Sequence, residues 1–220
     1  MFVFHSQNRK GQTIIELIVA ISIVVVSLLG IFALISRSLA INRLTSEQYT
    51  ASYLAAEGIE LVRNMFDHSF IATVENHAGE HEFYGFVGPE KIELVADPNK
   101  VYEVYEIDYD DGDLVNHNAV SCPLGGEPTQ GAMRTLFADC DLQFLNFDAG
   151  TGLYSYEPAG GANQPTKFKR VVIVDIPLEF ASVPAGANLD FRVISAVGWA
   201  SRGGQFMVAA QDHFLPWRPL

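Results

Sequence analysis

The sequence predicts an α+β fold in which a long N-terminal α-helix packs on an antiparallel β-sheet. An uncharged apolar run lies near the N-terminus, an apolar stripe of helical period follows it, and short β-rich runs separated by turn residues fill the remainder. A helix and a sheet each have an apolar face to bury, and a helix laid on one face of an antiparallel sheet buries both.

The uncharged apolar run comprises the 20 residues from Leu17 to Ser36. As a helix rising about 1.5 Å per residue it is about 30 Å long, the thickness of the hydrocarbon core of a bilayer. Its many Ile, Val and Leu residues suit lipid, where unpaired backbone groups force helicity. We therefore expect this run to span a membrane.

Basic residues set the expected orientation of this span. Arg9 and Lys10 precede it, and no acidic residue occurs in the first 15 positions. The positive-inside rule then keeps the N-terminus in the cytoplasm and places residues after Arg37 outside. A secretory signal peptide has a shorter apolar core of about 7–15 residues followed by its cleavage site. The longer run favours a break before it, at Gly11, so that the helix remains as an anchor.

Glu16 places a carboxylate at the start of the apolar run. Such a group costs roughly 2.5–3.5 kcal/mol at the centre of a transmembrane helix and less near its end, and it is usually functional. Cleavage after Gly11 would free an α-amine on Gln12, four residues from Glu16 and on the same helix face. The alternative is that Glu16 only reaches the lipid headgroups.

The segment Lys10-Gly11-Gln12-Thr13-Ile14-Ile15-Glu16-Leu17 resembles the type IV prepilin cleavage and methylation motif. This resemblance implies that a membrane aspartyl peptidase cuts after Gly11, that Gln12 is N-methylated, and that Glu16 guides subunit assembly. The family usually has phenylalanine at the position of Gln12. The resemblance further implies partners, namely the prepilin peptidase, other pilin subunits and an inner-membrane assembly platform.

The helix is expected to continue beyond the membrane, from about Thr13 to Phe66. Gly30 and Gly58 would be its weak points, each costing about 1 kcal/mol against alanine. The apolar stripe of helical period consists of Ala51, Leu54, Ala55, Gly58, Leu61, Val62 and Met65, and the polar residues off the stripe are Glu47, Glu57, Glu60 and Arg63.

From about His68 the sequence reads as strands and turns, and no helical stripe recurs. The candidate strands are Glu82 to Val87, Ile92 to Val95, Val101 to Tyr109, Leu142 to Phe147, Leu153 to Tyr156, Phe168 to Phe180, Leu189 to Trp199 and Gln205 to Ala210. Arg202-Gly203-Gly204 predicts a hairpin turn between the last two. The predicted loops are Ser121 to Ala132, Asp148 to Gly152, Pro158 to Pro165 and Ser182 to Asn188.

The predicted organisation is a leader at 1–11, a transmembrane and assembly helix at 12–36, an amphipathic continuation at 37–67 and an extracytoplasmic β-rich domain at 68–220. Three C-terminal segments are similar to the ends of pilin-like proteins close to the PilV-type minor pilins: Phe168 to Val174, Arg192 to Trp199 and Phe206 to Trp217. Strand alternation with tryptophans as core or edge anchors explains the same segments without a family.

The excess of acidic residues limits the partners that the chain can bind. The chain has 14 Lys and Arg against 26 Asp and Glu, so its surface repels nucleic acid and no direct nucleic-acid binding is expected.

Cys122 and Cys140 both follow the anchor and would reach a compartment where disulfides form. A bond between them would stabilise the fold by about 3 kcal/mol on the chain-entropy model. Two free thiols are the alternative.

Three patterns in the sequence resemble chemical sites. His77, Glu80 and His81 match the inverted zincin spacing, but Gly79 and the β-rich run that follows favour a polar loop. Ser201 lacks the Gly-x-Ser-x-Gly context of a nucleophile. A solvated turn is favoured over surface calcium for the acidic cluster Asp108, Asp110, Asp111 and Asp113, whose glycine is one place early for a calcium loop.

Together these patterns predict a structural protein without enzymatic activity or a cofactor. The favoured function is a minor pilin of a type IV pilus, inserted as a single-pass membrane prepilin and then assembled outside the cytoplasm. One alternative is a pseudopilin of a type II secretion or competence system, which shares the N-terminus. A second alternative, from another class, is a single-pass anchored surface protein whose sheet domain binds a ligand.

Overall fold

The computed structural model describes residues 10–75, 101–102, 104–109, 111, 122, 124–158, 160–175 and 191–214. The chain divides into two compact units, Met1–Glu47 and Gln48–Leu220. A helix, α1, is assigned to Lys10–Glu75 and is followed by antiparallel strands, so the predicted α+β class is confirmed. The helix extends past both of its predicted ends, Thr13 and Phe66.

The described part of the second unit contains nine strands and one further helix. In chain order they are β1 (Val101–Tyr102), β2 (Val104–Tyr105), β3 (Leu124–Gly125), α2 (Gln130–Asp139), β4 (Asn146–Asp148), β5 (Tyr154–Ser155), β6 (Asn163–Pro165), β7 (Phe168–Asp175), β8 (Phe191–Ser201) and β9 (Gly204–Phe214).

A four-stranded antiparallel sheet with the order β2-β7-β8-β9 is the centre of this unit. Strands β8 and β9 pair over their whole length, from Phe191 opposite Phe214 to Ser201 opposite Gly204. The predicted hairpin turn at Arg202-Gly203-Gly204 is therefore confirmed. Gly203 and Gly204 have φ values of 113° and 133°, which side chains with a Cβ rarely adopt.

Both faces of this sheet are covered, because side chains alternate along each strand. On β8, Val193 and Val197 cluster with α1 residues such as Val62 and Leu54. The intervening Ile194 and Ala196 belong to a cluster on the other face, which includes Met133 and Leu136 of α2. The sheet is thus the middle layer between α1 and α2.

The predicted apolar stripe on α1 faces this core. Six of its seven residues are buried, and Leu61 is partly buried.

Helix α2 corrects the prediction of a loop from Ser121 to Ala132 with no second helix. Thr129 caps its N-terminus by accepting a hydrogen bond from the Ala132 amide at 3.3 Å. Only Met133 and Leu136 are buried on this ten-residue helix, so its apolar face is too short to give a periodic stripe. The threonine cap was the available sequence signal.

Other boundaries also differ from the predicted ones. The predicted strand from Val101 to Tyr109 divides between two sheets, since β1 pairs with β3 and β2 pairs with β7. Residues 141–145 precede β4 without strand pairing of their own, although Leu145 exchanges backbone hydrogen bonds with Thr166 and Phe168. Strands β4, β5 and β6 form a separate sheet. The predicted strands at 82–87 and 92–95 and the loop at 182–188 lie outside the described residues.

Candidate processing and assembly site

The N-terminal half of α1 is an apolar surface in the isolated chain. Every side chain from Thr13 to Arg43 is exposed. Helix α1 is long and apolar enough to cross a membrane by length and composition, and none of its most apolar window is buried. Exposed apolar area on this scale marks a surface that lipid or another protein covers.

Serine hydroxyls within this surface are satisfied by the helix itself. Ser22 donates to the Ile18 carbonyl at 2.7 Å, and Ser27 donates to the Ile23 carbonyl at the same distance. Ser36 donates to the Phe32 carbonyl at 2.9 Å. An unsatisfied polar group costs several kcal/mol in hydrocarbon, so these hydrogen bonds suit the helix to lipid.

The three predicted processing and assembly residues lie in the first two turns of α1. Gly11 and Gln12 are its second and third residues, and their side-chain environment lies outside the described features. Glu16 is exposed. A helical backbone brings positions 12 and 16 to one face. Contact between Gln12 and Glu16 therefore stays a prediction.

The two cysteines are joined by a disulfide with a Cα–Cα distance of 5.9 Å. Cys140 is buried at the C-terminus of α2, where its amide donates to the Leu136 carbonyl at 3.1 Å. Cys122 is half-buried and packs against the same apolar cluster. The bond joins the two ends of the segment that contains β3 and α2 to each other.

One ion pair, between Glu127 and Arg192, joins this segment to the main sheet. Arg192 on β8 donates through Nε to an Asp175 carboxylate oxygen at 3.0 Å and contacts Glu127 at 3.4 Å. Tyr102 lies close by, and burial raises the pKa of its phenol to about 12, with the Asp175 and Glu127 carboxylates adding to the rise. The phenol is therefore neutral at ordinary pH.

The acidic cluster is organised as a turn in its described part. The Asp108 carboxylate accepts hydrogen bonds from the Tyr109 amide at 2.8 Å and the Tyr156 amide at 2.9 Å. The Asp108 amide donates to the Asp111 carboxylate at 2.5 Å. No group of three metal-binding side chains occurs among the described residues. Asp110 and Asp113 lie outside them.

The structure gives no support to the other two patterns, the inverted zincin spacing and Ser201. His77, Glu80 and His81 lie outside the described residues. Ser201 ends β8 opposite Gly204 at the hairpin, so it is not at a strand-to-helix turn. Glu47, which lies off the predicted apolar stripe, is nevertheless only 7% exposed, and it pairs with Arg43 at 3.1 Å.

A buried cation was missed by sequence reasoning. Arg170 on β7 is fully buried on the α1 side of the sheet. Its Nη2 donates to the Ile107 carbonyl at 2.8 Å, and its Nη1 lies 3.4 Å from Glu57 Oε1 on α1. Tyr156 donates its hydroxyl to the Arg170 carbonyl at 2.8 Å, and burial raises the pKa of that phenol. The alternation of inward residues along β7 would have identified Arg170.

Comparison with known families gives one match. Residues 6–34 match the family model described as the prokaryotic N-terminal methylation motif, which confirms the motif predicted around Gly11. No curated protein and no solved structure matches the chain significantly. The motif supports a structural subunit of the pilin-like or pseudopilin type and does not distinguish among the systems that use it.

Proposed function

We propose that the chain is a minor pilin: a structural subunit of a type IV pilus that is cleaved after Gly11, methylated on Gln12 and assembled through α1. The observation that supports this most directly is the position of the motif. It occupies residues 6–34, and beyond the proposed cleavage position the helix is exposed from Thr13 to Arg43. A motif and an anchor in this order are what filament assembly from a membrane requires.

The exposed apolar surface fits a protein with two successive environments. Before assembly, lipid covers the helix from Thr13 onward, with the N-terminus in the cytoplasm and the sheet-bearing unit outside. After assembly, helices of neighbouring subunits cover it. A heterologous contact repeated along an axis generates an open filament, so one such surface is enough to build a fibre.

The proposed partners follow from these two states. The prepilin peptidase acts on Gly11, an inner-membrane platform extracts the subunit, and other pilins contact α1. The proposed leader contains two of the basic residues and no acidic one, so the mature chain keeps 12 Lys and Arg against 26 Asp and Glu. This acidic balance argues against a direct contact with nucleic acid.

Minor-pilin status rests on the C-terminal resemblance, and the motif alone fits a pseudopilin equally well. Secretion or competence genes beside this one would favour the pseudopilin, and pilus genes would favour the pilin. An anchored surface protein with an accidental motif predicts that Met1 or its neighbours remain on the mature chain. N-terminal analysis of the mature protein separates that alternative from the other two.

The experiment that tests the proposal replaces Gly11 by valine. A glycine lets a peptidase approach the backbone closely, because it has no Cβ. Gly11→Val should therefore abolish cleavage and leave a precursor that is eleven residues longer. Gly30→Val is the matched control, since it adds the same side chain to the same helix at a position with open space around it.

Intact mass spectrometry of membrane fractions provides the measurement. The expected result is mature protein starting at Gln12 in the wild type and in Gly30→Val, and precursor alone in Gly11→Val. Mature protein at the wild-type level in Gly11→Val would contradict the proposal, and so would an uncleaved wild type.

A further inference from the structure

The exposed side of α1 changes character along its length in the second unit. The exposed residues from Gln48 to Ala56 carry no charge, and they are here called the tyrosine face: Gln48, Tyr49, Ser52, Tyr53 and Ala56. Farther along the helix the exposed residues include Glu60, Asp67 and His68. The solvent side of a surface helix normally carries charged residues, and this chain is rich in acidic ones. An exposed stretch without charge therefore indicates a surface that another molecule covers.

Two tyrosines are the large side chains of this face. Tyr49 and Tyr53 lie four positions apart, so they are neighbours on the helix surface. They are 65% and 75% exposed, and no other large hydrophobic side chain of α1 between Gln48 and His68 is exposed. A tyrosine offers a broad, rigid ring and a hydroxyl at a low cost in conformational entropy, and it is enriched in protein interfaces. The pair is therefore suited to anchor a contact.

On the proposed topology the tyrosine face lies beyond the lipid headgroups. Tyrosines in membrane proteins are often found at the headgroup level. Tyr49, however, follows Ser36, the last residue of the apolar run, by 13 positions, which is about 20 Å of helix. The headgroup layer is about 5–8 Å thick on each side of the hydrocarbon core. The molecule that covers the tyrosine face is therefore a protein.

Charge defines the kind of protein that fits. From Leu17 to Ala56, α1 exposes the cations Arg37 and Arg43 and no carboxylate, since Glu47 is only 7% exposed. Two of the 26 acidic residues and four of the 14 basic residues precede Gln48, so the second unit has 24 acidic and 10 basic residues. The exposed surface of α1 and the second unit of another subunit are thus complementary in charge. A tyrosine hydroxyl can also donate a hydrogen bond to a carboxylate.

We propose that the tyrosine face is a docking surface for the acidic second unit of a neighbouring pilin subunit, with Tyr49 and Tyr53 as its anchors. The inference rests on the proposed function and adds a contact outside the membrane, separate from the contact assigned to Glu16. Subunits of a filament repeat one heterologous contact, so the surface that meets this face is the counterpart of the chain's own second unit. The tyrosines then act when a subunit enters the filament, after insertion and cleavage.

The first experiment follows the full chain from membrane to fibre in cells that make the filament. Tyr49→Ser combined with Tyr53→Ser removes both rings, and serine has a helix propensity close to that of tyrosine. This double variant should reach the membrane and be cleaved at the wild-type level. Its ratio of sheared-fibre protein to membrane protein should fall about tenfold or more, a common effect of truncating tyrosine anchors.

Tyr109→Ser is the matched control. Tyr109 is 47% exposed but lies in the turn after β2 and not on α1. This variant should keep the wild-type ratio of fibre to membrane protein. A loss equal to that of the double variant would overturn the proposal, because the effect would not be specific to the tyrosine face.

A conservative double variant tests the chemistry of the partner. Tyr49→Phe combined with Tyr53→Phe keeps both rings and removes only the hydroxyl donors. Its ratio of fibre to membrane protein should fall about threefold or more, because carboxylates of the neighbouring subunit lose two donors. Incorporation at the wild-type level would overturn the assignment of an acidic partner.

Photo-crosslinking identifies the partner directly. p-Benzoylphenylalanine in place of Tyr53 should form an adduct with a second pilin subunit in sheared fibres, and mass spectrometry identifies that subunit. The same group in place of Asn64, which is exposed on the same side of α1 three turns farther along, should form none. An equal yield at position 64 would overturn the proposal. So would the lack of an adduct at position 53, or an adduct there with lipid or with a protein other than a pilin.

These outcomes also separate the inference from the proposed function. If the chain is not a pilin, the wild type itself stays uncleaved or is absent from fibres, and the inference fails with the function. If the chain is a pilin whose tyrosine face docks nothing, the wild type and the serine double variant enter fibres equally well.

Discussion

At the residue scale, the proposed function concentrates on Glu16. The residue lies one helical turn after Gln12, and the helix that follows it carries no charge over a membrane length. In lipid the carboxylate gains from a partner charge, and the α-amine created by cleavage is a cation in the right place. In a filament, the Gln12 amine of a neighbouring subunit would bind Glu16 of an incoming subunit and so set the position of that subunit.

Replacing Glu16 by leucine should therefore separate insertion from assembly. The variant loses the desolvation cost of the carboxylate and should insert and be cleaved at least as well as the wild type, yet enter filaments poorly. Quantitative immunoblots of membrane and sheared-fibre pools measure both steps, with Glu16→Asp as the charge-retaining control. Equal incorporation of Glu16→Leu and the wild type would remove Glu16 from the assembly site.

Gly58, one of the two predicted weak points of the helix, packs directly against Ser195. The absence of a side chain at Gly58 permits this close contact. Gly58→Ala should lower the free energy of unfolding by up to about 2 kcal/mol, the difference between an overpacking cost of about 1–3 kcal/mol and an alanine gain of about 1 kcal/mol. Gly30→Ala is the matched control, with open space around its Cβ. Chemical denaturation compares the two, and a more stable Gly58→Ala protein would contradict the prediction.

At the element scale, helix α2 depends on tertiary contacts more than on its own sequence. It has ten residues, which is marginal for an isolated helix in water. Additional stability comes from its cap at Thr129, its two buried side chains and the disulfide at its C-terminus. The Phe137 ring also packs over Gly198 of β8, where an added Cβ would collide with it.

Reduction of the Cys122–Cys140 bond should lower stability through this element. The cysteines are 18 positions apart, and cross-linking a loop of that length contributes about 3 kcal/mol, which corresponds to roughly 6–12 °C in melting temperature. Calorimetry with and without reductant measures the difference. Protein purified without reductant should show no titratable thiol, and finding two would contradict the bond.

At the scale of the whole molecule, α1 has two tasks that divide along its length. Residues from Thr13 to Arg43 are exposed and mostly apolar, whereas Leu54, Ala55 and Val62 in the second unit are at most 1% exposed. On the proposed function the first part serves membrane insertion and assembly, and in the structure the second part forms one layer of a core. A truncation can therefore remove the first task without damaging the second.

Two truncations test this division. A chain starting at Asn42 should be a soluble, folded monomer at micromolar concentration, because it keeps the buried stripe from Ala51 to Met65. A chain starting after Phe66 loses the layer that covers one face of the sheet and should aggregate. Nuclear magnetic resonance spectra of both chains measure whether they are folded. A well-dispersed spectrum from the shorter chain would contradict the claim that α1 is needed to cover one face of the sheet.

The sequence by itself determined the features that repeat along the chain or depend on near neighbours. The membrane-length run, the prepilin motif, the amphipathic stripe, the Gly-Gly hairpin and the α+β class are all written in local spacing or composition. These signals are readable because helix, strand and turn each impose a fixed period or a backbone angle on successive residues.

Only the tertiary structure decided which residues meet. It divided the segment from Val101 to Tyr109 between two sheets, placed α2 on the second face of the main sheet, and put Arg170 beneath Glu57. These contacts join residues far apart in sequence, for example Glu57 with Arg170. Such contacts depend on the competition of all surfaces for burial, so no local pattern specifies them.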